Sequence, residues 1–185
     1  MLTNMKKIIP ATKKIRKMTL KRLQNIALYY LERFETSADN LRQVLKRRVF
    51  DYARQTPDFD VAEAEQWIED IVEKMVRLGY INDNRYAEFK IDGYLNAGKP
   101  ERYIRQKMMQ KGIGEDIVDE VLQNREFDEK EMALRFAQKK KIGPWRTDEE
   151  NRKLNRQKDL AALVRAGFGY DIAQQILAIE TIDDF

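Results

Sequence analysis

The sequence predicts an all-α fold: an elongated, curved array of three tandem three-helix repeats. Three observations predict it. Apolar residues recur at helical spacing along most of the chain. Proline and glycine are scarce, 4 and 8 in 185 residues, which favours helices over an all-β fold. The order of glycine and apolar residues in the middle of the chain returns further on without a gap.

Residues 1–18 are basic, contain Pro10 and carry no acid. They read as a flexible arm, either a solvated tail or a nucleic-acid-binding extension. The first repeat is assigned to residues 19–80. Its first helix runs from about Thr19 to Phe34, with Leu20, Leu23, Ala27, Tyr30, Leu31 and Phe34 on one apolar face. Thr36 or Ser37 caps a second helix that turns Leu41, Val44, Leu45, Val49 and Tyr52 inward. Thr56-Pro57 breaks it. Asp60 and Glu63 form a capping pair for a third helix burying Ala64, Trp67, Ile68, Ile71, Val72, Met75 and Val76.

The second repeat, residues 81–125, is the most strongly patterned stretch. Gly79 stops the preceding helix by entering the left-handed C′ conformation, which costs glycine nothing sterically. Asn82 or Asp83 caps a helix with Tyr86, Ala87, Ile91, Tyr94 and Leu95 on its buried side. Gly98 ends it, and Pro100 suits the first turn of the next helix, where its missing N–H is not needed. Ile104 and Met108 face inward there, and Gly112 closes it. Ile113, Ile117, Val121 and Leu122 belong to the last helix of the unit. These helices are too short to be stable alone and must pack on one another.

The third repeat covers residues 126–180. Asp128 and Glu131 open a helix with Met132, Ala133, Phe136 and Ala137 inward, and Gly143-Pro144 ends it. Thr147 and Glu150 suggest a capping box for a long helix that includes Leu154, Leu160, Leu163 and Val164. Gly167 stops that helix, and a final one buries Ile172, Ile176 and Leu177. Residues 181–185 form an acidic tail. Met108, Gly112, Ile113, Ile117, Val121 and Leu122 match Leu163, Gly167, Phe168, Ile172, Ile176 and Leu177 position for position. A unit of this size cannot hide its apolar side alone, so stacked units share a core.

Charge follows the repeat. The middle helices are basic: Arg42, Lys46, Arg47 and Arg48, then Arg102, Arg105, Lys107 and Lys111, then Arg152, Lys153 and Arg156. The third helices are acidic in the first two units, with Glu65, Glu69, Asp70 and Glu73, then Glu115, Asp116, Asp119 and Glu120. Two outcomes are open: solvated faces with pairing between neighbouring helices, or parallel bands of opposite sign that meet a partner. The recurrence in every unit favours the basic helices as a partner-binding or DNA-binding surface.

Little chemistry is available for catalysis. The chain has no histidine and no cysteine, so the usual general base and thiol nucleophile are missing, as is any disulfide framework. No phosphate-cradling glycine loop followed by lysine occurs. Glu65, Glu69 and Glu73 share a helix, but a solvated face explains them better than a metal site. Tyr103 and Trp145 are candidates for base stacking, Trp145 from an exposed loop. No apolar run is long enough to span a membrane. An enzyme is not expected, nor is a cofactor.

The motifs resemble a known family. Leu78-Gly79-Tyr80-Ile81-Asn82-Asp83, Arg85-Tyr86-Ala87, Gly98-Lys99-Pro100 with Ile104, and Lys111-Gly112-Ile113 are similar to the central signature of the RecX family. Ala27-Leu28-Tyr29-Tyr30-Leu31, ahead of Ser37, resembles the start of that family's first repeat. The resemblance implies a bacterial, cytoplasmic protein of three-helix repeats that binds the RecA–DNA filament and mostly inhibits its ATPase and strand exchange, in recombination and DNA repair; a monomer is expected. It brings no catalytic residues. The alternatives are a direct DNA-binding protein that uses a basic middle helix, with Arg102, Arg105 and Gln106 reading bases, and a helical scaffold for another protein.

Overall fold

The computed structural model describes residues 16–180, and among them the regular structure is helical with no strand. The body of the basic arm, residues 1–15, and the acidic tail, residues 181–185, lie outside the described residues. The helices are α1 (Leu20–Leu31), α2 (Ala38–Ala53), α3 (Val61–Arg77), α4 (Asp83–Asn96), α5 (Glu101–Met109), α6 (Glu115–Gln123), α7 (Glu129–Lys140), α8 (Glu149–Ala166) and α9 (Tyr170–Leu177), with a 3₁₀ turn at Gly143–Trp145. They pack as successive trios, each around its own core.

Helix starts follow the side-chain chemistry. Thr19, Ser37, Asp60 and Asn82 each accept a hydrogen bond from the amide three residues on, satisfying a donor the helix leaves orphaned. The first core gathers Leu23, Ala27, Leu41, Leu45, Val49, Ala64, Ile68 and Met75, and Met18 also lies in it. The second gathers Tyr86, Ala87, Ile91, Ile104, Met108, Ile113 and Val121. The third gathers Ala133, Ala137, Leu160, Leu163, Phe168, Ala173 and Ile176.

Several local expectations are corrected. α1 stops at Leu31, so Phe34 lies beyond the helix, is exposed, and meets the Tyr30 ring at 5.0 Å from outside. Leu154 is 84% exposed. It precedes Leu163 by nine residues, which at 3.6 residues per turn puts the two on opposite faces of α8. The cap of α8 is Asp148, not Thr147: its carboxylate accepts from the Asn151 amide at 2.7 Å. α7 ends before Gly143-Pro144, because Lys141 takes the left-handed conformation (φ 53°, ψ 47°) and Ile142 folds back into the core, its amide donating to the Ala137 carbonyl at 3.0 Å. Trp145, expected in an exposed loop, is half-buried against that core.

The joints between trios explain the matched glycines. Gly112 follows α5 with φ +67°, and a Cβ on it would overlap the side chain of Asp39 at the start of α2. Gly167 follows α8 with φ +108°, and a Cβ on it would stand 3.1 Å from Pro100 Cγ, at the start of α5. Each middle helix therefore rests its C-terminal stop on the N-terminal turn of the middle helix before it. At the first joint the Ser37 hydroxyl donates to the Lys111 carbonyl at 2.5 Å, and the Ala38 amide donates to Asp83 at 2.9 Å. Arg85 and Glu35 pair across the same joint at 2.8 Å.

Candidate interaction surface

The joints line up the basic middle helices, α2, α5 and α8, end to end. The bases on them divide into two groups. Some are committed within their own trio. Arg42 donates through Nε to both Glu69 oxygens at 2.9 Å and also reaches Asp39, tying α2 to α3. Arg105 bonds Asp119 at 2.6 Å and Glu101 at 2.7 Å, tying α5 to α6. Those carboxylate hydrogen bonds, Asp119 first, raise the Arg105 pKa despite partial burial. Arg152 donates to the Glu180 and Pro144 carbonyls at 2.8 and 2.7 Å. Arg156 bonds Gln174 at 2.7 Å. Lys153 pairs with Glu149 along its own helix at 2.6 Å, fully in solvent.

The others remain available. Lys46, Arg47, Arg48 and Arg102 are exposed and have no acidic partner within 4 Å among the described residues. Among the described residues Lys107 meets Gln110 and the Tyr103 ring, and Lys111 lies 3.5 Å from Asn40. Arg47 and Arg48 edge a groove between α1 and α2 that also holds Tyr29 and Phe34. The first of the two sequence outcomes is present, since opposite charges pair across α2–α3 and α5–α6, while a subset of the bases has no acidic partner among the described residues.

Tyr103 stacks edge-on against Tyr94 at 5.6 Å, so one of its faces is used in packing. Among the described residues no three acids converge as a metal site would require. No helix among them is long and apolar enough to cross a membrane.

The sequence reading missed one basic locus. Lys99, Arg135, Lys139, Lys140 and Arg165 come together around a cleft between the second and third trios. They belong to the α4–α5 loop, α7 and the last turn of α8, so no single helical run displays them. The joint at Gly167 brings them close, and the repeated glycine was the one signal in the sequence that located it.

Comparison with known proteins fits this architecture. Residues 82–122 match the family model for the second three-helix domain of RecX. Two solved structures share the fold. A crystal structure of RecX from Lactobacillus salivarius has a TM-score of 0.60 at 24% identity, covering 85% of this chain and 94% of that one. Another regulatory protein RecX has a TM-score of 0.62 at 25% identity, covering 85% and 70%. The Regulatory protein RecX of Agrobacterium fabrum is 27% identical over 158 residues, 85% of this chain and 83% of its own length. That of Myxococcus xanthus is 38% identical over 167 residues, 89% of both chains. A match of that closeness over nearly the full length of both proteins, on the same tandem three-helix architecture, means that the chain belongs to the RecX family, a family of regulatory proteins.

Proposed function

We propose that this protein binds RecA–DNA filaments and restrains the recombinase's ATP turnover and strand exchange, acting by attachment and not by turnover of a substrate. The observation that carries the reading is the 38% identity, across 89% of both chains, to a protein named for regulation. The physical form suits the task. Three jointed trios present successive surfaces to a filament. A bound rod alters protomer packing only to the extent that it prefers one filament state over another. The unpaired bases on α2 and α5 supply electrostatic attraction to a nucleoprotein surface.

The test is recombinase ATPase on single-stranded DNA with increasing amounts of this protein. Turnover is expected to fall in the presence of the protein. Arg47→Glu with Arg102→Glu is expected to weaken the inhibition several-fold while the circular dichroism spectrum stays helical. Turnover unaffected by the wild-type protein rules the reading out. Full inhibition by the folded double variant removes those two residues from the interface. Arg105 is left unchanged in this test because it clamps α5 to α6. For the same reason a base-reading role for Arg105 on α5 draws less support.

A further inference from the structure

We infer that the cleft between the second and third trios is a docking site for an acidic segment of a partner protein, with an apolar side chain of that segment seated on its floor. The rim carries Lys99 from the α4–α5 loop, Lys139 and Lys140 from the end of α7, and Arg165 from the last turn of α8. Arg135 lies among them and is engaged by Glu131 one turn away. No aspartate or glutamate lines the cleft. Lys139, Lys140 and Arg165 are exposed and have no acidic partner within 4 Å among the described residues. The chain gathers positive charge here and sets none of its own described acids against those three bases. A partner that brings carboxylates supplies the counterpart.

The hollow around Arg152 and Arg156 differs in its balance of charge. It is also lined by Glu149, Asp159 and Glu180, so its bases face acids of the same chain. Helix dipoles account for a part of the acid-free arrangement. Lys139, Lys140 and Arg165 sit in last turns, where the dipole favours a cation. A dipole does not bring two helix ends and a loop around one hollow, and Lys99 lies in the loop, outside both helices.

The floor favours a peptide over a nucleic acid. Pro100, Tyr103, Met132 and Phe136 lie between the bases. Single strands bind by laying their bases flat on ring faces. The Tyr103 ring is already engaged within the chain: Tyr94 stands against it at 5.6 Å, and the ammonium groups of Lys99 and Lys107 lie over it at 5.1 and 5.6 Å. Phe136 leans on Phe168 at 5.6 Å. A stacked base would have to displace such neighbours. An aliphatic or aromatic side chain needs apolar contact but no flat partner, and the thioether of Met132 adapts its shape to an insert. The cleft has a volume of about 620 Å³, room for one large side chain and its flanking backbone. None of the rim bases belongs to the set proposed for the filament, so this inference does not rest on that reading.

The test is fluorescence anisotropy of a labelled peptide, alternating aspartate and glutamate around one central phenylalanine, titrated with the full chain. Lys139→Glu with Arg165→Glu is expected to weaken its binding about tenfold or more, because carboxylates then face carboxylates. Lys139→Gln with Arg165→Gln, a milder change, is expected to give a smaller loss of affinity in the same direction. Lys21→Glu with Arg54→Glu alters net charge equally on exposed positions of the first trio and is expected to stay within about twofold. A peptide with serine in place of its phenylalanine is expected to lose about fivefold or more in affinity, since the floor then buries no apolar side chain. Equal weakening by the cleft and first-trio variants would overturn the inference, as would equal binding of the two peptides or no binding by the wild-type protein. Stronger displacement of the peptide by an unlabelled oligodeoxythymidylate than by unlabelled peptide, at matching charge concentration, would give the cleft to nucleic acid and overturn it too. So would self-association of the wild type, seen by sedimentation, that the cleft variant abolishes, since the cleft would then take a second copy. No recombinase enters the assay, so it succeeds or fails independently of the ATPase measurement.

Discussion

Asp159 closes the third trio through a single buried carboxylate. It is 1% exposed, and it accepts from the Gly143 amide at 3.0 Å and from Arg146 at 2.6 and 2.7 Å. Burial pushes its pKa up, but the Arg146 guanidinium and the Gly143 amide outweigh burial and hold it below the ordinary carboxylate value. A lowered pKa means stability that is present above the unfolded-state value, about 4, and that is lost as pH falls through the lower folded-state value. Asp159→Asn leaves Arg146 without its charged partner and is expected to cost about 3 kcal/mol at neutral pH. The difference from wild type should shrink as pH drops below about 4. Urea titrations of both proteins across that range check this; a constant difference would show that charge is not the cause. Asp159 was invisible in the sequence because it sits in a polar run of α8. Only the fold shows that it shares the buried face with Leu163, four residues on. Tyr86 and Ile104 were legible, because each sits in an unbroken helical period.

Element by element, existence and order were readable and some ends were not. Glycine stops at 79, 98, 112 and 167 were correct because each takes a positive φ that other residues adopt at a cost. The stop at Lys141 was hidden, since nothing in a lysine announces a left-handed residue. The start of α8 was misplaced by one position because Thr147 and Asp148 are both good caps, and pattern alone does not choose between them. The structure chooses the carboxylate, with the Thr147 hydroxyl donating to it at 3.1 Å. Asp148→Ala is therefore expected to destabilise the protein by about 1 kcal/mol, against a few tenths or less for Thr147→Ala. The midpoints of chemical denaturation decide the ranking. The reverse order would return the cap to Thr147. Charge was legible as composition only. Recurrence named the basic helices, but which bases are spent on Glu69, Asp119 or Glu101 depends on how neighbouring helices face one another.

At the scale of the whole molecule, the repeat implies a division of stability. Each trio owns a separate core, while the joints consist of two glycine approaches, at Gly112 and Gly167, with two hydrogen bonds and one surface ion pair at the first. Interfaces between neighbours are then weaker than the packing inside a unit, and a chain of such units need not open all at once. Leu163 is fully buried in the third core, and Leu163→Ala opens a cavity there at a cost of about 2–5 kcal/mol. Hydrogen exchange is expected to quicken strongly in α7, α8 and α9, less in α4–α6, and least in α1–α3. A uniform increase along the chain would mean that the three trios unfold as a single cooperative body. A graded response would instead identify the Gly112 and Gly167 joints as the places where the rod gives. Both joints stack middle helices end to end, so bending there would change the spacing of the free bases on α2 and α5 without unfolding either helix. The joint at Gly167 adjoins the basic cleft, and Pro100 and Tyr103 belong to both, so the same bending would also change the width of that cleft.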